Sequence, residues 1–276
     1  MNTILTLTWL TFHEARRRRM VLAALAAGAL FLLVYGIGVR LISAELESEG
    51  APAMVVQQIR GFLTVAGLYV VHFLTVMLAI FASVDTIAGE ISSHTIQAIV
   101  TKPLRRWQVL VGKWLGYAVM LALYLMLLGG GVLLVMAVQT GYWPPNALAG
   151  LSLLILEALV LVSLSLLGGT RLSTLTNGVA LFLLYGLAFI GAWVEQIGGL
   201  LQSDAAVRVG VIASLVLPVE ALWRRAAYLM QTPLANSFPT PFTVSSVPSA
   251  AMVIYAVLYS CVALLLAARA FGRRDL

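Results

Sequence analysis

The 276-residue chain is 61% hydrophobic and only 10% charged. That composition excludes a soluble domain, because too little polar surface remains to cover the apolar residues. The formal charge of +6 does not make a nucleic-acid surface either, since the basic residues flank apolar runs, as signals of membrane topology do; and one cysteine, Cys261, leaves no intrachain disulfide and no cysteine zinc site.

The first stretch, residues 1–19, is amphipathic, with Leu5, Trp9 and Phe12 opposed to the run Arg16 to Arg19. It predicts a helix lying in the membrane interface ahead of the first span. Six stretches then reach spanning length: Met20–Val39, Gly61–Val84, Val109–Val138, Ala147–Leu167, Asn177–Val194 and Ala250–Ala268. The first of these is long enough to remain as an uncleaved anchor. The fold class expected is therefore all-α, a polytopic membrane protein in a single domain over residues 1–276. An even number of spans puts both termini on one side. A cytoplasmic N-terminus places twelve of the 17 basic residues inside, leaving Arg40, Arg60, Arg208, Arg224 and Arg225 outside, so charge bias alone predicts cytoplasmic termini in a cell membrane. Between the first two spans, Glu45, Glu47 and Glu49 ahead of Pro52 read as a short solvated loop.

Between the second and third spans lies the most polar stretch, Asp85 to Trp114. Ile87, Ile91, Thr95, Ile96 and Ile99 recur near helical spacing, acids stand at the start where the helix dipole favours them, and Pro103 stops the pattern. Arg105, Arg106 and Trp107 then return the chain to the membrane surface. This predicts a short amphipathic cytoplasmic helix within residues 85–106. The combination of Glu90, the pair Thr95-Ile96, Lys102-Pro103, Arg105 and Gly112-Lys113-Trp114 resembles the first cytoplasmic loop of type-2 ABC transporter permeases, the exporter-like class. His94 stands where that family often has glycine. The run from Thr11 to Arg16 is similar to the N-terminal elbow of the same class, and the resemblance includes its copper-enzyme-maturation-like permeases. The resemblance implies a coupling helix that docks on a separate ATPase, with Asp85, Glu90, Thr95, Ile96, Lys102, Pro103 and Arg105 as the coupling residues. It implies as partners cytoplasmic ABC ATPase subunits and a second copy of this permease or a related one, within membrane lipid.

The outer segment, residues 195–249, carries an apolar run from Val207 to Leu217 that is too short to span, then Pro218, then an amphipathic stretch from Glu220 to Met230. It predicts re-entrant or interfacial helices, with Pro218 at the bottom or exit of a dip and Trp223, Arg224 and Arg225 at the headgroup level. A helix packed on top of the bundle is the alternative.

Gly112-Lys113 lacks the upstream glycine and the following hydroxyl of a phosphate-binding loop, and neither a paired-histidine zinc motif nor a serine elbow is present. The chain is thus expected to be no enzyme and to bind no cofactor or metal itself. Two ionisable residues, His72 and Glu157, fall near the middle of predicted spans. A charge there costs about 2.5–3.5 kcal/mol on insertion scales, so each must be paired, neutral or beside a polar cavity. They either stitch helices together or mark a substrate or proton path, and they support the rival reading of a secondary or proton-coupled transporter. A structural membrane scaffold is the third class.

Overall fold

Apolar runs of this length must satisfy their backbone groups internally, which leaves them helical. The computed structural model describes residues 3–92, 105–231 and 246–273, with no strand among them. Ten helices follow in order: α1 (Thr3–Arg17), α2 (Arg19–Ser48), α3 (Ala53–Ser83), α4 (Asp85–Ser92), α5 (Arg106–Thr140), α6 (Ala147–Gly169), α7 (Thr174–Leu200), α8 (Asp204–Val216), α9 (Val219–Met230) and α10 (Ala250–Gly272). Six, namely α2, α3 running on into α4, α5, α6, α7 and α10, are long and apolar enough to cross a membrane. They coincide with the six stretches expected from the sequence, but several reach further. α2 continues to Ser48 and α3 begins at Ala53, so the expected loop with its three glutamates shrinks to a few residues. Glutamate is a good helix former, and the chain turns only where Gly50, at φ +62°, and Pro52 enforce it. At the next connection α5 already starts at Arg106 and absorbs the polar stretch up to Trp114.

The packed centre is made by α3, α5 and α6, which bury Leu68, Val71, Leu125, Leu128, Leu154 and Val160. α2, α7 and α10 stand further out and present large apolar side chains such as Leu30, Leu187 and Leu258 to the surroundings, as lipid-facing helices do. Against α5 lies α1, seated through small residues: Gly112 and Gly116 receive Leu7 and Thr11, with no room for a Cβ at either glycine. The N-terminal helix is therefore fastened to the third span along one face, while Leu5, Trp9 and Leu10 remain exposed on the other.

The segment after α7 turns back. Ala206 sits against Gly198 and Ala213 against Gly191, so α8 runs antiparallel along α7 in close backbone contact. At Leu217-Pro218 the chain bends by 108° between α8 and α9. α9 then returns along α6, from Glu220 beside His72 to Met230 against Gly150 near the start of that helix. The break frees the last carbonyls of α8. Two tyrosines of α10 take them: Tyr255 Oη donates to the Leu215 carbonyl at 2.5 Å and Tyr259 Oη to that of Val216 at 2.9 Å. Buried peptide groups need such partners.

Candidate functional site

Of the coupling residues expected from the sequence, Asp85, Glu90 and Arg105 are described; Thr95, Ile96, Lys102 and Pro103 lie outside the described residues. Asp85 opens α4, with only Val84 between it and the end of α3. Its Oδ1 accepts a hydrogen bond from Thr174 Oγ1 of α7 at 3.1 Å, and its Oδ2 lies 3.6 Å from Arg18 Nη1, where α1 meets α2. Arg18 also donates to Glu14 at 2.9 Å. One turn further along α4, Glu90 Oε1 accepts a short hydrogen bond from Lys113 Nζ of α5. The apolar side of α4, Ile87 and Ala88, is buried against Gly169 at the end of α6. Over its described residues, 85–92, the helix expected on the membrane surface is docked on protein, because its acids meet two cations, Arg18 between α1 and α2 and Lys113 of α5, and the Thr174 hydroxyl of α7. Arg105 is exposed and caps α5, its backbone N–H donating to Gln108 Oε1 at 3.2 Å. The neighbouring Arg106 reaches across to the carbonyls of Phe271 and Gly272, both at 3.3 Å, at the last turn of α10.

Beside this clasp an open groove of about 790 Å³ separates the start of α2 from the end of α3 and the start of α7. Its walls are apolar, including Phe81, Val179 and Phe182, with Arg18, Arg19 and Asp85 at its polar end.

The second assembly lies in the middle of the bundle. His72 of α3 and Glu157 of α6 meet there: Nδ1 is 2.8 Å from Glu157 Oε1 and 3.0 Å from Oε2. On the other side of the ring, Nε2 lies 3.4 Å from Glu220 Oε1 of α9, an ion-pair distance without the alignment of a hydrogen bond. All three residues are at most 3% exposed. The imidazole packs on two neighbouring aromatic rings, Trp223 with ring centres 5.0 Å apart and Tyr69 at 5.7 Å, each inclined 27° to it and 5.3 Å from one another. Close by, Arg224 of α9 meets Glu195 of α7 fork-on: Nη2 donates to Oε2 at 2.7 Å, and Nη1 lies 2.7 Å from Oε1. Arg224 Nη2 also donates to Ser214 of α8 at 3.2 Å. Gly210 makes room for Glu195, since a Cβ there would stand 2.2 Å from that of Glu195.

Here the structure corrects the reading of the outer segment. Trp223 and Arg224 are 5% and 6% exposed and face the polar centre, not a headgroup layer. An amphipathic helix with a tryptophan and an arginine has the same composition whether its polar side meets water or buried acids; Glu195 and the acid–histidine pair decided it. Glu220, Glu195 and Lys113 were absent from the candidate ionic sites. Glu220 and Arg224 stand one helical turn apart on a helix bordered by apolar residues, and that pairing is the signal by which they could have been found. Among the described residues no group of three metal-ligating side chains is assembled.

The family model of the ABC-2 family transporter proteins matches residues 5–276, nearly the whole chain. No curated protein matches it.

Proposed function

The chain belongs to the ABC-2 transporter family, and from that premise we propose that it is the export permease of an ATP-driven transporter whose ATPase docks on the segment between α4 and α5. As a member of that family it is a membrane subunit of an ABC transporter, multi-pass, and associates with an ABC ATPase. The remaining elements of the reading are ours. Both termini lie in the cytoplasm, residues 93–104 touch the ATPase, two permease copies or a pair of related permeases share two ATPases, and α8 with α9 forms a re-entrant hairpin on the outer side. The groove beside Arg18 suits an apolar or amphipathic cargo entering from the inner side.

The observation that carries the docking assignment is the clasp. Helices α4 and α5 flank the docking segment, and each is tied to the bundle by charge: Asp85 to Arg18 and Thr174, Glu90 to Lys113. A push on the segment is therefore delivered to α1, α5, α6 and α7 together. Asp85 and Glu90 act as positioning residues that aim the dock, while Thr95, Ile96, Lys102, Pro103 and Arg105 supply its contact surface. ATP-driven closure of the ATPases would rock the bundle through this element. Co-purification of the ATPase after mild detergent extraction tests it. Glu90→Lys should lose the ATPase, and adding Lys113→Glu should restore it. A Glu90→Lys chain that recovers its ATPase and stimulates hydrolysis like the native chain removes the clasp from the mechanism. Transport by this chain with no ATPase present would favour the proton-coupled carrier built on His72 and Glu157.

A further inference from the structure

Two carboxylates face the two nitrogens of one buried imidazole, and elementary hydrogen counting limits what this can be. A neutral imidazole has one N–H and one bare lone pair. With both glutamates ionised, one carboxylate would look at the lone pair, negative against negative, in a core where water is excluded and charge is poorly screened. The arrangement is attractive only when the three groups hold two protons. Either the ring is an imidazolium donating toward both acids, or it donates to one and accepts from the protonated carboxyl of the other; the proton belongs to the cluster and not to one residue. We propose that Glu157, His72 and Glu220 form a binding site for one exchangeable proton in the middle of the bundle, and that release of this proton frees α9 from α3.

The surroundings fit a cationic or proton-sharing ring. Trp223 and Tyr69 stand next to each other, 5.3 Å apart, with ring centres 5.0 and 5.7 Å from that of His72, within reach of a cation–π attraction. From α7, the buried Tyr185 phenol faces Glu220. The nearest fixed cation, Arg224 on α9, is taken up by Glu195 of α7 and contributes no net charge. At this level α5 meets α3 through Gly129 beside Leu68 and Val71. With two protons the cluster carries one net negative charge. Losing one to solvent, from a ring N–H or a carboxyl O–H, leaves two negative charges with nothing added to balance them.

The site also spans a moving part. His72 and Glu157 sit on central helices, whereas Glu220 stands on the first turn of α9, next to the 108° bend. The repulsion that follows deprotonation therefore falls on the contact between the bent pair and the bundle. The ligand is a proton, and its binding closes α9 onto α3.

The purified full chain in lipid nanodiscs tests this without any ATPase. In a Cys261→Ser background, Ala227→Cys places a thiol at a fully buried position of α9. Its labelling rate is divided by that of Ser48→Cys, exposed at the end of α2, which corrects for thiolate formation. If one proton holds α9 closed, the ratio should rise about tenfold per pH unit as the site's titration is approached from below, and level off above it. In Glu220→Gln it should stay flat, because the amide can donate to the bare ring nitrogen and has no proton to lose. A flat ratio in the native cluster, or an unchanged rise in Glu220→Gln, overturns the proposal. Infrared titration of the carboxyl and imidazole bands supplies the second readout: a one-proton step in the native chain that disappears in Glu157→Gln supports it. The same step persisting in Glu157→Gln and in His72→Gln overturns it even if Glu220→Gln fails to fold.

Discussion

The Asp85–Arg18 pair of the clasp and the cluster at the centre of the bundle use the same chemistry, acids meeting bases across helices, under opposite solvation. Asp85 and Arg18 keep half and a quarter of their side-chain surface exposed, while His72, Glu157, Glu220, Glu195 and Arg224 keep almost none. A pair near water can separate and re-form at little cost. A pair in the middle of the bundle cannot separate without stranding a charge. Asp85 and Arg18 are thus held loosely and the central groups tightly, and the contrast can be broken or sharpened by substitution.

The largest effect is expected at Arg224. Arg224→Met leaves Glu195 buried without its partner, a loss of about 3–5 kcal/mol, visible as a large fall in the thermal midpoint in detergent. Pairing it with Glu195→Leu should recover most of that loss, and if the double variant is no better than the single one, the two charges do not work as a pair. Next is Gly210→Ala. Its Cβ would stand 2.2 Å from that of Glu195 and 2.6 Å from the Gly191 carbonyl oxygen, which forces α8 off α7 at about 1–3 kcal/mol. Lys113→Met comes third. Both partners are largely buried, the glutamate at 17% and the lysine at 6% side-chain exposure, so the midpoint should fall, but less than for Arg224→Met. Arg18→Ala should be the mildest, about 0.2–1 kcal/mol and weaker still in high salt. A loss at Arg18 equal to that at Arg224 would erase the distinction between the two regions.

The spans were legible because a run of twenty apolar residues has few alternatives to a helix, and the family followed from residues such as Glu90 and the Gly112-Lys113-Trp114 block. The central cluster was legible only in part. His72 and Glu157 announced themselves by their cost in a span, yet they are 85 residues apart in the chain, and nothing local says that α3 and α6 are neighbours. Glu220 was hidden for a different reason. It sits on a helix too short to span, where an acid is ordinarily taken for a surface residue, and only the path of α8 back along α7 carries it to mid-depth. The exposure of Trp223 was misjudged on the same ground, since an aromatic beside two arginines suits a headgroup layer until the buried partners are known.

One consequence follows from the way α10 is held at both ends. Arg106, the first residue after the capped start of α5, takes the carbonyls at its last turn, and Tyr255 and Tyr259 near its other end take the free carbonyls of α8. Between these attachments runs unbroken helix of about 20 Å, at 1.5 Å per residue, and Ser260, next to Tyr259, stitches it to Ser163 of α6 at 2.6 Å. Such a rod does not shorten, so a piston-like shift of α10 at the Arg106 end arrives as a shift of the peptide groups just ahead of the Pro218 bend. Thermodynamic reciprocity then applies: whatever free energy an event beside Arg106 lends to one position of the bend, an event at the bend returns to the Arg106 end in equal measure.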